Sequence, residues 1–90
     1  MRTPVYTRQF ERDIRKAEKR GKNLEKLKII VRTLIEGWKL DALHIDHQLV
    51  GSYVGRRECH IEADWLLIYK VEEERVIFER TGPHADLFKK

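Results

Sequence analysis

Leu24, Leu27, Val31, Leu34 and Trp38 recur three or four residues apart, and Ile30 and Ile35 widen the same stripe. That spacing puts them on one side of an α-helix. A helix striped this way buries its apolar side against another element. Two to three heptads are short for a coiled-coil seam, so the stripe reads as the core side of a helix lying on a sheet. Asn23 is placed to cap its start, and Gly37 marks its exit.

The segment before it has the same character. Phe10, Ile14 and Ala17 follow helical spacing while Arg12, Arg15, Lys16 and Lys19 face away, Thr7 can cap the start, and Gly21 interrupts the pattern. The two segments form an αα-hairpin. Thr3–Tyr6 precede it as a short strand, with Pro4 tolerated at an edge or a strand start.

From Gln48 the periodicity changes. Gly51 and Gly55 punctuate the chain, and in Arg57–Glu62 alternation puts Cys59 and Ile61 on one face and Glu58, His60 and Glu62 on the other. Glu62-Ala63-Asp64 is a natural turn. Trp65–Lys70 is apolar enough for a central strand, Glu72–Glu74 turn again, and Arg75–Arg80 form the last strand. The expected fold is α+β in the order β-α-α-β-β-β, with two N-terminal helices packed on an antiparallel sheet. Residues 1–90 are read as a single domain.

Composition narrows the function classes. No apolar run approaches the roughly 20 residues that cross a bilayer, and the N-terminus lacks a secretory h-region. Cys59 is the only cysteine, so no internal disulfide is possible and a reduced, cytoplasmic protein is expected, without a membrane partner. The net charge of +4 is concentrated: residues 8–28 hold nine Lys/Arg against four Asp/Glu. Such a face is an electrostatic footprint for a polyanion, although i,i+4 pairs such as Glu11–Arg15 and Glu18–Lys22 can also account for part of it.

Chemistry-bearing residues gather in two places. His47 to Trp65 holds two imidazoles, carboxylates including Asp64, adjacent arginines and two aromatic rings, and Arg80 and His84 flank a Gly-Pro turn further on. Histidine exchanges protons near neutral pH, and arginine matches two phosphate oxygens at once. His44, His47 and His60 supply three imidazoles, but without a Cys pair, an HExxH motif or a dense carboxylate cluster no metal or other cofactor is expected. Cys59 falls on the core face, where a thiol is inert. What remains is acid–base chemistry on a phosphodiester. RNA brings its own nucleophile, the 2′-hydroxyl, and Trp65, Tyr53 and Phe88 could stack on unpaired bases.

The motifs D-H-x-L, C-H-I-x-x-D-W-L-L-I-Y and R-T-G-x-H-x-x-L-F, together with the basic helix hairpin, resemble the YafQ branch of the RelE/ParE toxin superfamily over essentially the whole chain. The resemblance implies a RelE-like fold and the toxin half of a type II toxin–antitoxin pair. It further implies a ribosome-dependent mRNA endonuclease, or mRNA interferase, that arrests translation until a cognate antitoxin neutralises it. Operator DNA would be met only through the antitoxin complex. By the same resemblance His47, His60, Asp64 and His84 form the catalytic set. His84 would donate the proton to the leaving 5′-oxygen, and His60 or Asp64 would be the base on the 2′-hydroxyl. Arg80 would brace the phosphate, Trp65 and Phe88 would place the message, and Arg12, Arg15, Lys16 and Lys19 would meet ribosomal RNA. One departure is Tyr53, where the family pattern G-x-W-x-G leads one to expect Trp. The competing readings are a ParE-like toxin that poisons DNA gyrase by binding alone, an RNase acting on free RNA, and an RNA-binding module in which the histidines are incidental.

Overall fold

The computed structural model describes residues 1–88, so Lys89 and Lys90 of the expected 1–90 domain lie outside the described residues. The chain runs β1 (Thr3–Tyr6), α1 (Arg8–Lys19), α2 (Leu24–Glu36), a 3₁₀ turn (Ala42–His44), β2 (His47–Gln48), a second 3₁₀ turn (Gly51–Tyr53), β3 (Arg57–Glu62), β4 (Trp65–Val71), β5 (Arg75–Gly82) and a short α3 (His84–Leu87). The α+β class and the helix hairpin are as expected. The sheet differs in two respects.

The sheet has five strands in the order β1-β5-β4-β3-β2, and β1 lies parallel to β5 while every other pair is antiparallel. The wholly antiparallel sheet is therefore corrected to a mixed one. The helix hairpin delivers β2 running opposite to β1, and the three reversals that follow bring β5 alongside β1 in the same direction. The additional strand, β2, pairs His47 with Glu58 and Gln48 with Arg57. Two residues are too few to show alternation.

Helix ends follow the expected chemistry. The Thr7 hydroxyl accepts the Phe10 N–H at 3.0 Å and donates to the Glu79 carbonyl at 2.9 Å, tying the start of α1 to β5. Asn23 accepts the Glu25 N–H, and Gly37 closes α2 in a left-handed conformation (φ 78°) that costs a glycine little. Trp38, counted with the stripe, lies beyond that stop and is exposed. Phe10, Ala17, Leu27, Ile30 and Leu34 pack on Cys59, Ile61, Trp65, Leu67, Tyr69, Val76 and Phe78 to form the main core. Each fully buried large apolar side chain contributes about 1.5–3 kcal/mol.

The other face of the central strand is also covered. Leu66 and Ile68 pack with Leu87 of α3, flanked by Leu49, Tyr53 and Phe88. β4 is thus buried on both sides, which is why its sequence reads as a continuous apolar run. The second, smaller core holds α3 against the sheet beside the candidate chemistry.

Past Phe78, β5 has no β1 residue alongside it, because β1 pairs only with Arg75–Phe78. Asp13 of α1 takes over that edge. Its buried carboxylate accepts the Thr81 N–H at 3.1 Å, Arg80 Nε at 2.8 Å and Gln9 Nε2 at 3.1 Å. Such a carboxylate is tolerable inside the fold because it is both paired and hydrogen-bonded.

Candidate active site

The β3–β4 hairpin builds the site. Strand alternation puts Glu58 and His60 on the face opposite the helices, and the register sets His47 across from Glu58. The turn at the hairpin's end carries Asp64 to the start of α3. There Asp64 Oδ1 accepts the backbone N–H of His84 at 3.0 Å and its ring Nδ1–H at 2.7 Å. The histidines consequently form a row. Ring centroids lie 6.5 Å apart from His47 to His60, 5.9 Å from His60 to His84, and 6.0 Å from His84 to Phe88. All four expected catalytic residues therefore share one rim of the molecule.

The partners fix which nitrogens carry protons. A carboxylate and a carbonyl only accept, so a ring nitrogen facing either one is an N–H. Asp64 holds His84 as the Nδ1–H form and leaves Nε2 for a substrate. Glu58 Oε1 accepts from His60 Nε2 at 3.2 Å and lies 3.6 Å from His47 Nε2. His47 Nδ1 donates to the Ile45 carbonyl at 2.8 Å, and His44 Nδ1 donates to the His60 carbonyl at 2.7 Å. The two N–H groups of His84, first the backbone one and then the imidazole, hold the Asp64 carboxyl below its usual range.

Glu58 is the residue that sequence reasoning missed. It was placed on the outer face and given no role, yet it is 4% exposed and sits between two imidazoles. Its position two residues before His60 in a strand was the available signal. Glu58, His60 and His84 each offer a ligand atom within 4.8 Å of the others, a donor set suited to zinc or copper. It differs from the His44, His47 and His60 trio that spacing brought into view, because His44 directs its Nδ1 to the His60 carbonyl.

Trp65 requires a correction. It is 1% exposed, its indole N–H donates to the Thr81 hydroxyl at 3.0 Å, and Lys22 Nζ lies 5.8 Å from its ring centroid. A ring enclosed in this way packs the core and offers no face to a base. Phe88 is partly exposed and meets Tyr53 edge-on at 5.6 Å, so the aromatic surface of the rim lies there. Arg80 is committed to Asp13 by two nitrogens, at 2.8 and 3.3 Å, and that carboxylate raises the guanidinium's pKa above its ordinary value. Arg80 can brace a phosphate only by releasing part of that pair. Cys59 is fully buried, and desolvation pushes its thiol up to about 12.

The cationic face of α1 adjoins this rim. Arg12, Arg15, Lys16 and Lys19 are all exposed, and Asp86 of α3 bonds Arg20 at 2.9 Å with Lys16 3.8 Å away. The same two salt bridges hold α1 beside the helix that begins with His84. By contrast, an apolar groove of about 210 Å³, lined by Tyr6, Phe10, Ile14 and Leu27 among others, contains none of the candidate residues.

Proteins of known family match this chain over nearly its whole length. Residues 2–89 match the family model for YafQ, the bacterial toxin of type II toxin–antitoxin systems. The chain is 45% identical over 84 residues to an mRNA interferase toxin YafQ of Escherichia coli K12, covering 92% of this chain and 91% of that one. It superposes on the toxin in the crystal structure of the E. coli DinJ–YafQ toxin–antitoxin complex with a TM-score of 0.91 at 44% identity, over 97% of both chains. A metal-bound toxin from Helicobacter pylori is similar as well, at 32% identity with a TM-score of 0.91, over 98% of this chain and 100% of that one.

Proposed function

The chain belongs to the YafQ family of bacterial type II toxin–antitoxin toxins, and on that premise we propose that it is a ribosome-dependent endoribonuclease acting on translated mRNA. The observation that carries the reading is the pair of carboxylate–imidazole contacts on one rim: Asp64 with His84 at 2.7 Å and Glu58 with His60 at 3.2 Å. Each imidazole has one nitrogen held by a carboxylate and the other left for a substrate, the arrangement of a proton-transfer group with an orienting partner.

The step needs no external nucleophile. His60 takes the proton of a 2′-hydroxyl, whose oxygen attacks the adjacent phosphorus. The bond to the 5′-oxygen breaks, and that oxygen leaves with the Nε2 proton of His84, which enters the step as an imidazolium with its Nδ1–H held by Asp64. The products are a 2′,3′-cyclic phosphate and a 5′-hydroxyl. Between the two candidate bases the geometry favours His60, because Asp64 Oδ1 already accepts two bonds from His84 and is suited to orienting it. His47 faces the same carboxylate as His60 and completes the set. Phe88 places a base, Arg80 supports the phosphate if it yields one bond to Asp13, and the cations of α1 meet ribosomal RNA. The chemistry uses protons alone and requires no metal.

A cognate antitoxin is the protein partner, by analogy with the E. coli complex of DinJ and YafQ. Operator DNA would be met only within that complex. The site of action is the cytoplasm, where the ribosomes are; among the described residues no helix is long and apolar enough to cross a membrane.

The test is 5′-end mapping of a defined mRNA incubated with the purified protein, with and without programmed ribosomes. Cuts on the ribosome alone, lost in His84→Ala while antitoxin binding persists, are expected. Equal cutting of free RNA would remove the ribosome from the reading. No cuts in either reaction, from a preparation that still arrests growth, would overturn the nuclease assignment and direct attention to gyrase.

A further inference from the structure

Two residues inside the motifs have no part in the chemistry above. Asp46 stands immediately before His47, and Tyr69 stands near the end of the central strand. The structure joins them. Tyr69 is 1% exposed, and its hydroxyl, at the end of a ring packed in the main core, donates to Asp46 Oδ1 at 2.6 Å. Arg57 Nε donates to the same oxygen at 3.2 Å.

The residue between the two tethered positions is strained. Ile45 adopts φ 48° and ψ 51°, and among the described residues it is the one non-glycine with positive φ. A β-branched side chain disfavours that conformation. Its own packing does not enforce it, since the side chain is 58% exposed. What enforces it lies on either side: His44 bonded to the His60 carbonyl at 2.7 Å, and Asp46 bonded to Tyr69 and Arg57. Strain of this kind persists where the surroundings over-determine it.

The left-handed turn has a chemical result. It presents the Ile45 carbonyl to His47 Nδ1 at 2.8 Å, which makes Nδ1 the N–H, while Nε2 lies 3.6 Å from Glu58 Oε1, beyond hydrogen-bond distance, and faces the site. We infer that Tyr69 and Asp46 are positioning residues for His47. Their hydrogen bond latches the 44–47 segment to the central strand, holds Ile45 in its left-handed turn, and thereby sets both the place and the tautomer of the His47 ring. His44 is the second arm of the latch and ends on the backbone of His60, so both arms bear on the histidine row. The inference rests on the reading of His47 as a member of the catalytic set, and it deepens that reading.

The test uses the full chain carrying Tyr69→Phe, which keeps the ring and removes only the hydroxyl. Three quantities are read: the ¹⁵N shifts that report the His47 tautomer, kcat and KM on programmed ribosomes, and the melting temperature. The expected result is a His47 ring that no longer holds the pure Nδ1–H form, with kcat down about 10²-fold, as for a misplaced catalytic group. KM stays near its starting value because the basic face is untouched. Asp46→Ala gives the same pattern, while Asp46→Asn retains an oxygen for the Tyr69 hydroxyl and recovers most of the turnover. A Tyr69→Phe protein with the original tautomer and undiminished kcat would overturn the latch, as would a lower melting temperature and lower kcat with the tautomer unchanged. A His47→Ala protein that cleaves like the parent would instead overturn the role of His47 in cleavage, leaving the tautomer measurement to decide the latch.

Discussion

Asp64 is the most exposed member of the site, and this makes it the cleanest residue to alter. Asp64→Asn keeps the shape and removes the charge that orients His84. We expect turnover to fall by about 10²–10⁴-fold with the fold unchanged. Cleavage kinetics beside a circular dichroism melt would check this, and near-parental turnover would return Asp64 to a turn-forming role. The carboxylate's depressed pKa fixes the sign of the pH effect. The Asp64–His84 contribution is present above the ordinary carboxylate range and is lost only as pH falls through the lower, folded value. Cys59 gives the opposite case. With its thiol buried and raised to about 12 it should stay unmodified by a thiol reagent at neutral pH until the protein unfolds. Rapid labelling of the native protein would contradict the packing of β3.

Among the elements, the contact of α1 with β5 turns on Asp13. Asp13→Ala would strand the Thr81 N–H and leave Arg80 without its partner inside the fold. Breaking a buried pair from one side costs about 3–5 kcal/mol, which urea denaturation would measure. A loss under about 1 kcal/mol would mean that water replaces the carboxylate. Much of this element layout was legible in the sequence. Thr7 and Asn23 announced the helix starts, and the alternation of Cys59 and Ile61 against His60 oriented β3 correctly. The parallel pairing of β1 was not legible, since nothing in Thr3–Tyr6 names its neighbour. Trp65 was misplaced for a related reason. A strand buried on both faces has no polar side by which to judge where a ring points. The proposed catalytic set came from the resemblance to a family, and its convergence on one rim had to be seen. The Glu58 contact with His47 and the Asp13 edge depend on partners 11 and 68 residues away in sequence, which local patterning does not encode.

Across the whole molecule, charge and chemistry occupy adjoining surfaces. α1 shows its cations to solvent, and Asp86 fastens that helix beside α3, where His84 begins. A polyanion bound along α1 would therefore lie next to the histidine row. Replacing Arg15 and Lys19 with Glu should weaken ribosome binding, with log affinity depending less steeply on log salt concentration because fewer counterions are released. Sedimentation with ribosomes across a salt series would check it, and a defect with an unchanged salt slope would point to misfolding. The strand order also sets a timetable. β1, α1 and α2 leave the ribosome first, yet β1 has no neighbour, and α1 no edge to cover, until β5 has been made. His84 follows later still. Until β5 is made, a ribosome synthesising these elements therefore holds a sheet with no partner for β1, and the rim of histidines is assembled only once β5 has joined β1.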